Sequence, residues 1–356
     1  SLSKILWLLR NVDEVNKAKL DNDLCFGTID SWLLYKLTGN HVTDVTNASR
    51  TLLMDLQTLN WMEDVINSLD IPLDSLPSIK PSMFNYGTNE GILKNVPITA
   101  VLGDQQASLF GQNCISSGDV KNTYGTGCFA LTNTGSDIVH SNNGLLSTVA
   151  YQKDGDKPQY AIEGSVSIAG AAVQWLRDNL NIIKESSDVE ALAMAEKDNG
   201  DVYFVPAFSG LFSPHWDETA RGVLVGLSRF SNKSHIARAV LESVAYQSNE
   251  LLESMEKDIG ITFESVNVDG GMVVNNLLMQ FQSDIFNKKV ISQEINEITA
   301  LGAGAASFLF INNLPLEKMN SFITQSKTWN PNIDIKQREQ YLNKWNKAIN
   351  KSKQWK

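Results

Sequence analysis

Cysteine and histidine are scarce in this sequence. It has three cysteines and four histidines among 356 residues, and neither residue type recurs at the spacing of a metal site or of a disulfide framework. Their scarcity excludes a small disulfide-stapled fold and a zinc site of the usual kind. The sequence therefore predicts a reducing environment, and we expect the protein to be cytoplasmic.

Basic residues are outnumbered as well. Lysine and arginine total 30 against 40 aspartate and glutamate residues, which gives a formal net charge of -10. The basic residues are not gathered into a stripe, so the electrostatic footprint of nucleic-acid binding is missing. We expect no nucleic-acid partner, and an anionic substrate would need help from a local cation or a metal ion.

Long apolar runs are the third absence. No run reaches the length of a transmembrane segment, and the first residues resemble neither a signal peptide nor a transit peptide. The sequence starts with Ser1 in place of methionine, and on that ground we expect it to be a fragment. With 42% hydrophobic and 20% charged residues it is otherwise an ordinary globular chain, long enough for two domains.

Helical and strand periodicities alternate along the chain, which predicts an α/β fold. Residues 118–134 indicate two strands around a glycine turn. A long helix is predicted from His235 to about Asp258, with Ser234 as its N-terminal cap and Gly260 as its stop. The pattern is interrupted between Gly111 and Gly118, so we place a domain boundary there and expect domains at residues 1–111 and 112–356.

The motif Gly103-Asp104-Gln105-Gln106 directly follows an apolar run at residues 98–102. That run predicts a strand covered on both faces, and ligands of α/β proteins bind at the carboxyl ends of such strands. Asp104 is therefore a candidate to take a proton from a substrate hydroxyl. The residues alone favour the alternative, in which Asp104 caps the next helix.

Two glycine clusters suit phosphate or nucleotide binding. In residues 124–128 a Gly-Thr-Gly turn can direct backbone N–H groups at an anion, although an ordinary hairpin explains the pattern equally well. In residues 268–276 a strand leads through Gly270 and Gly271 into a helix, and Asn275 could offer its amide to a base or a ribose. The alternative is a plain strand-to-helix turn. A third pair, Gly302 and Gly304, is better explained by close helix packing.

Longer stretches of sequence, in order along the chain, carry a family resemblance. They are residues 1–11 and 222–242, which are similar to the two signatures of one family, and residues 27–33, 46–51, 103–106, 122–129, 205–210 and 214–222. On these stretches the chain resembles the FGGY family of carbohydrate kinases, which includes glycerol kinase, gluconokinase and xylulokinase. The similarity is greatest to the glycerol kinases.

The resemblance implies two actin-like ATPase domains of the ribonuclease H type, the first of them truncated at its N-terminus. It also implies transfer of the γ-phosphoryl group of ATP to glycerol, which gives sn-glycerol 3-phosphate, with Mg²⁺ as cofactor. Residues 1–111 would then be the polyol side and residues 112–356 the nucleotide side. A homo-oligomer, either a dimer or a tetramer, is expected as well.

The resemblance assigns roles to individual residues. Asp104 would be the general base and the protein ligand of Mg²⁺, and Gln105 and Phe129 would contact the polyol with it. The residues expected around the nucleotide are Gly125 and Thr126 at the phosphates, Gly170 and Gln174 beside the nucleotide, and Gly271 and Asn275 at the adenosine. For Gln174 a solvated helix position is the alternative.

Two departures from the family pattern qualify this interpretation. The sequence contains no Asp-x-Gly-Thr motif, so we expect the N-terminal phosphate hairpin and several polyol contacts to be absent. A kinase of another polyol or sugar, or an inactive nucleotide-binding remnant, therefore stays as an alternative. Residues 91–97 also lack the glycine-rich, arginine-containing loop by which some bacterial members bind fructose 1,6-bisphosphate, and we expect no such control.

Overall fold

The structure is a computed structural model that describes residues 1–91, 93–324 and 327–356. Its α-helices in these ranges are α1 (Leu2–Asn11), α2 (Asp13–Leu20), α3 (Ile29–Thr38), α4 (Val45–Ala48), α5 (Glu63–Ser68), α6 (Asp104–Gly111), α7 (Gly170–Asp178), α8 (Asp188–Met194), α9 (Lys233–Ile259), α10 (Asn276–Phe286), α11 (Ile298–Ile311) and α12 (Ile335–Ser352). Short 3-10 helices lie at Leu73–Ser75, Gly271–Val274 and Leu316–Phe322.

The strands of the described residues are β1 (Val42–Asp44), β2 (Ser78–Lys80), β3 (Met83–Thr88), β4 (Pro97–Ala100), β5 (Val120–Tyr124), β6 (Cys128–Gly135), β7 (Leu146–Tyr151), β8 (Gln159–Val166), β9 (Tyr203–Val205), β10 (Val223–Val225), β11 (Ser265–Asp269), β12 (Lys289–Ser292) and β13 (Lys327–Trp329). Seven of them form one mixed sheet in the order β13-β12-β11-β5-β6-β8-β7. Strand β11 is parallel to β5 and β12, and the other neighbours are antiparallel.

Both faces of this sheet are covered. Because side chains alternate along a strand, Ala130 and Leu131 of β6 enter different cores. Ala130 belongs to the core that holds residues of α9, α10 and α12. Leu131 belongs to the core that holds residues of α6 and α11. The helix that starts at Asp104 therefore lies on a defined face of the sheet.

The expectation that residues 98–102 form a strand covered on both faces is wrong. Strand β4 ends at Ala100 and pairs with β3 in a two-stranded antiparallel sheet. Only Thr99 of β4 is buried. Helix α11 covers this small sheet, and its Ser307 hydroxyl hydrogen bonds to that of Thr99 at 2.6 Å. Asp104 therefore follows a half-exposed hairpin strand instead of a strand of a central parallel sheet.

The long helix is confirmed as α9, and Gly260 ends it in the left-handed conformation with φ of 70°. Its cap is Asn232, and the prediction of Ser234 was wrong. The Asn232 side-chain oxygen accepts hydrogen bonds from the backbone amides of Ser234 and His235, and the His235 ring accepts one from the Asn232 amide. This reciprocal capping box satisfies first-turn donors, among them the amide of Ser234 itself.

None of the helices in the described ranges combines the length and the apolar character that crossing a membrane would demand.

The segment at residues 91–97, from which we predict no control by fructose 1,6-bisphosphate, includes Ile92, and that residue lies outside the described ranges.

Glu242 in α9 predicts a pH dependence of stability. Its carboxylate accepts hydrogen bonds from Arg238 and Asn199, yet burial outweighs these contacts and raises its pKa from 4.5 to about 7. A carboxyl whose pKa is higher in the folded state loses its stabilising contribution as pH rises between these two values. Through this group the free energy of unfolding of the wild type should fall by on the order of 2–3 kcal/mol across this pH range, and we expect Glu242→Gln to remove that fall.

Urea unfolding of both proteins at several pH values tests this expectation. The interval from pH 6 to pH 7 is the most informative, because Asp44, the other deeply buried carboxyl with a raised pKa, has a pKa of about 6. Parallel curves for wild type and variant in that interval would contradict the assignment.

Candidate active site

The turn between β5 and β6 is locked against the start of α7. The carbonyl of Gly125 accepts a hydrogen bond from the Gly170 amide at 3.0 Å, and the carbonyl of Thr126 accepts from Ala169 and Ala171 at 2.9 and 3.1 Å. A side chain on Gly127 would put its Cβ 2.3 Å from the Val166 carbonyl, so only glycine fits. The turn is rigid, and Gly125 and Thr126 remain exposed at its tip.

The second glycine cluster brings β11 close to β5. Gly270 has φ of 96°, and a Cβ there would lie 2.4 Å from the carbonyl of Tyr124. Gly271 differs, because no atom lies within 4 Å of the position that its Cβ would take. Asn275 caps α10, and its side-chain oxygen accepts the Leu278 amide at 2.8 Å. The cap uses one acceptor position of the Asn275 oxygen, and the amino group of Asn275 makes no hydrogen bond to the described residues.

These elements enclose a cavity of about 430 Å³, a size typical of small-molecule sites. It is lined by all six residues that the sequence assigned to the nucleotide, namely Gly125, Thr126, Gly170, Gln174, Gly271 and Asn275. Gln174 is exposed and faces this space. The structure thus brings together residues that are up to 150 positions apart in the chain.

The cavity wall also includes residues that sequence reasoning missed. They are Ser186, Ser187 and Glu190. The Glu190 carboxylate accepts the Leu277 amide at 2.9 Å, which joins α8 to the start of α10. The three residues lie just before α8 or in its first turn. Nothing in their local sequence distinguishes them from residues of a solvated loop.

Asp104 is the first residue of α6, and its carboxylate is exposed. One carboxylate oxygen accepts the neighbouring Gln105 amide at 2.8 Å. The preceding Gly103 amide donates to the Thr46 hydroxyl at 2.8 Å, and that hydroxyl donates to the buried Asp44. Burial raises the pKa of Asp44 to about 6 despite its hydrogen bonds. The β1–α4 corner thereby fixes the point at which α6 begins.

A buried lysine lies directly beneath this helix start. Lys121 of β5 is fully buried, and its ammonium donates to the Gln105 side-chain oxygen and to the Thr123 hydroxyl, the latter at 2.8 Å. Burial lowers the pKa of Lys121, and the negative charges of Asp269 and Glu163 oppose that shift. Phe129 of β6 pairs with Thr123 and is 39% exposed. Thr123 is thus a hydrogen-bond partner of Lys121 and the strand partner of Phe129.

Asp269, at the end of β11, ties α6 to the sheet. Its carboxylate accepts hydrogen bonds from Ser108 at 2.7 Å and from Gln112 at 3.0 Å. The next residues, Gly270 and Gly271, belong to the nucleotide-side turn. Neither Lys121 nor Asp269 was singled out from the sequence. A charged residue inside an otherwise strand-like run is the only local signal that could have found them.

The site therefore has two parts joined by one hairpin. Asp104, Gln105 and Phe129 do not line the cavity that holds the six predicted nucleotide residues. They lie where α6, β5 and β6 meet, and the β5–β6 turn carries Gly125 and Thr126 a few residues away. In the described ranges no cluster of three or more carboxylate, histidine or cysteine side chains is arranged to hold a metal ion.

Comparison with known proteins connects this geometry to a family. Residues 1–111 match the N-terminal domain of the FGGY family of carbohydrate kinases, and residues 120–308 match its C-terminal domain. The chain belongs to the FGGY family. The predicted resemblance is confirmed, and so is the α/β fold class with its actin-like architecture.

Individual FGGY relatives are similar over nearly the whole chain. The chain is 51% identical to a glycerol kinase from Brucella anthropi, covering 99% of this chain and 72% of the relative. It is also 51% identical to a glycerol kinase from Corynebacterium kroppenstedtii, covering 99% of this chain and 71% of the relative.

A solved FGGY structure gives a close match as well. The crystal structure of Plasmodium falciparum glycerol kinase with ADP superposes with a TM-score of 0.93 at 39% identity, covering 99% of this chain and 71% of that one. A ligand-bound xylulose kinase from Lactobacillus acidophilus superposes with a TM-score of 0.84 at 23% identity, covering 97% and 70%, and shows the shared fold.

Proposed function

We propose that this protein phosphorylates glycerol with ATP to give sn-glycerol 3-phosphate. One observation carries the proposal: all six predicted nucleotide residues line one cavity. The β5–β6 hairpin joins that cavity to the region of Asp104, Gln105 and Phe129. Relatives that are 51% identical to this chain over 99% of its length are glycerol kinases, and one solved relative holds ADP.

In the proposed reaction Asp104 orients the terminal hydroxyl of glycerol and accepts its proton. Its exposed carboxylate sits at the start of α6, where the Thr46 hydroxyl holds the preceding residue in place. Phosphoryl transfer has a loose transition state, so positioning of the nucleophile contributes more than proton removal. Gln105 binds a polyol oxygen, and Phe129 packs against the carbon chain.

On the nucleotide side, the glycine turns let the nucleotide come close to the protein backbone. Gly125 and Thr126 hold the phosphates at the tip of the β5–β6 hairpin, with the Thr126 hydroxyl as an additional donor. Gly170 and Gln174 lie beside the nucleotide, and Gly271 and Asn275 flank the adenosine. Because its oxygen caps α10, Asn275 acts as a hydrogen-bond donor there.

The donor set fits Mg²⁺ in the way that kinases use it. Mg²⁺ commonly takes one or two protein carboxylates and completes its shell with water and substrate phosphates. Asp104 has an exposed carboxylate with one oxygen engaged by the Gln105 amide, which suits a single protein ligand. When bound, the ion would neutralise phosphate charge.

We further propose that residues 1–111 form the polyol side and residues 112–356 the nucleotide side of the enzyme. The dimer or tetramer and the cytoplasmic location stay predictions as well. Light scattering on the purified protein would decide the oligomeric state. In the described residues all three cysteines are free thiols, which is compatible with a reducing compartment.

Coupled-assay measurement of ADP formation, with glycerol omitted as the first control, tests the function. We expect ADP formation to require glycerol and to be weak with xylulose or gluconate. A preference for one of these sugars would indicate another FGGY kinase. Binding of ADP without turnover of any polyol would indicate a nucleotide-binding protein that is not a kinase.

Gly271 offers a separate test of the nucleotide site. Because its Cβ direction is open and the residue lines the cavity, Gly271→Leu should fill the space without disturbing the fold. We expect the Kd for ADP, measured by calorimetry, to rise at least about tenfold, the equivalent of ~1.4 kcal/mol. Gly304→Leu is the matched control, since Gly304 is also open but lies on α11. Equal affinities in the two variants would argue against this site.

A further inference from the structure

Lys121 has a position that the proposed reaction does not yet use. Lysine is seldom fully buried, because the ammonium loses its hydration, yet Lys121 is 0% exposed in the middle of the large sheet. A fully buried side chain presents no surface to a substrate. Its two hydrogen-bond partners are the Gln105 side-chain oxygen and the Thr123 hydroxyl.

The chemistry of the ammonium fixes the orientation of Gln105. A lysine ammonium has donors and no acceptor, so only the oxygen of the glutamine amide can face it. The amino group of Gln105 is then the end of the amide that is available to an incoming ligand. Without the lysine the two ends of the amide would be free to exchange places.

The surrounding negative charges favour the protonated form of Lys121. Asp269 at the end of β11 and Glu163 of β8 supply the principal opposing charges, and Asp104 of α6 contributes a smaller one. Asp269 is itself held by Ser108 and Gln112 of the α6 segment. The lysine is therefore embedded between the sheet and the helix that presents Asp104 and Gln105.

We propose that Lys121 is a positioning residue that holds Gln105 with its amino group toward the polyol, so that Gln105 donates a hydrogen bond to a glycerol oxygen. This inference rests on the proposed glycerol site and adds the direction of the hydrogen bond. Such a bond contributes to binding of substrate and transition state alike, so its loss raises KM and leaves kcat nearly unchanged.

The test is a double-mutant cycle with Lys121→Met and Gln105→Ala, read out as KM and kcat for glycerol and as Kd for glycerol by calorimetry. We expect Lys121→Met to raise KM and Kd about tenfold, in keeping with the loss of a hydrogen bond that a charged group holds in place. In the double variant of Lys121→Met and Gln105→Ala, KM and Kd for glycerol should be no higher than in Gln105→Ala alone. The Kd for ADP should be the same in all four proteins.

The variant Gln105→Glu tests the direction of the hydrogen bond separately, and this test does not depend on how well Lys121→Met folds. This isosteric change leaves Lys121 paired with an oxygen and replaces the amino group by a second oxygen, so the donor to glycerol is lost. We expect KM and Kd for glycerol to rise as much as in Gln105→Ala. Retained glycerol affinity in Gln105→Glu would overturn the inference.

The remaining outcomes separate the two proposals. A folded Lys121→Met with unchanged glycerol affinity, or effects that multiply in the double variant, would overturn the role of Lys121 while the kinase function stands. A wild-type protein that neither binds nor phosphorylates glycerol would contradict the proposed function and the inference together.

Discussion

Asp104→Asn lowers kcat for glycerol by about 10²–10⁴-fold, the usual contribution of a positioned general acid or base. The asparagine keeps the size of the side chain and can still accept the Gln105 amide, so α6 retains its start. What it loses is the charge and the ability to take a proton. KM for MgATP rises as well, because Asp104 is also the proposed protein ligand of Mg²⁺. The Kd for ADP without Mg²⁺ changes little, because the six predicted nucleotide residues line a separate cavity. Steady-state kinetics at saturating substrate provide the measurement.

The structural alternative for Asp104 makes a different prediction. As a first-turn acid of a helix it would contribute only about 0.3–1 kcal/mol to stability through the helix dipole. Asp13→Asn is the matched control, because Asp13 is also an exposed first residue of a helix, α2. We expect both variants to show this small loss of stability and only Asp104→Asn to lose activity. Full activity in a folded Asp104→Asn variant would remove the general-base assignment.

Local sequence chemistry accounts for the parts of the fold and site that could be predicted. Gly127 in the Gly-Thr-Gly turn and Gly270 before α10 depend on a close approach or a positive φ that glycine alone permits, so the sequence marks these two turns directly. The stop of α9 at Gly260 is of the same kind. Family resemblance then selected, among several plausible glycines, those that meet in one cavity.

Features that depend on long-range packing could not be predicted in this way. Strand β4 lies in a peripheral hairpin and packs against α11, which is about 200 residues away, and its local sequence does not show that contact. Lys121 looks like a residue of an exposed strand, and its burial follows from α6 packing over β5. The cap of α9 was missed by two residues because Asn232 and Ser234 are both good capping residues, and only the geometry of His235 distinguishes them.

Gly302→Ala is expected to have the largest effect on stability. Helices α6 and α11 approach so closely that a Cβ on Gly302 would lie 1.8 Å from the Ala107 carbonyl and 2.8 Å from the Gly111 amide nitrogen. Backbone atoms cannot turn aside as a side chain can, so the helices must separate. We expect a loss of about 3 kcal/mol or more in the free energy of unfolding, at the upper end of overpacking effects. Denaturant unfolding is the measurement.

Gly304→Ala is the matched control on the same helix. No atom lies within 4 Å of its Cβ position, so alanine there should stabilise α11 by about 0.5–1 kcal/mol through helix propensity. The expectation that both glycines serve close helix packing therefore holds for Gly302 and is wrong for Gly304. Opposite signs at the two positions would confirm this difference. Equal effects would show instead that intrinsic helix propensity explains both glycines.

The same contact links helix packing to the reaction. A Cβ on Gly111 of α6 would meet the Ile298 carbonyl of α11 at 2.3 Å, so the close approach is made from both helices. Once Gly302→Ala has moved them apart, the methyl group of Gly111→Ala finds space, and the double variant should lose less stability than the sum of the single variants. Because α6 begins at Asp104, the separation also displaces the proposed general base, and kcat should fall in the variants that remain folded. Additive losses of stability would mean that the two glycines face independent contacts and that α11 does not set the position of α6.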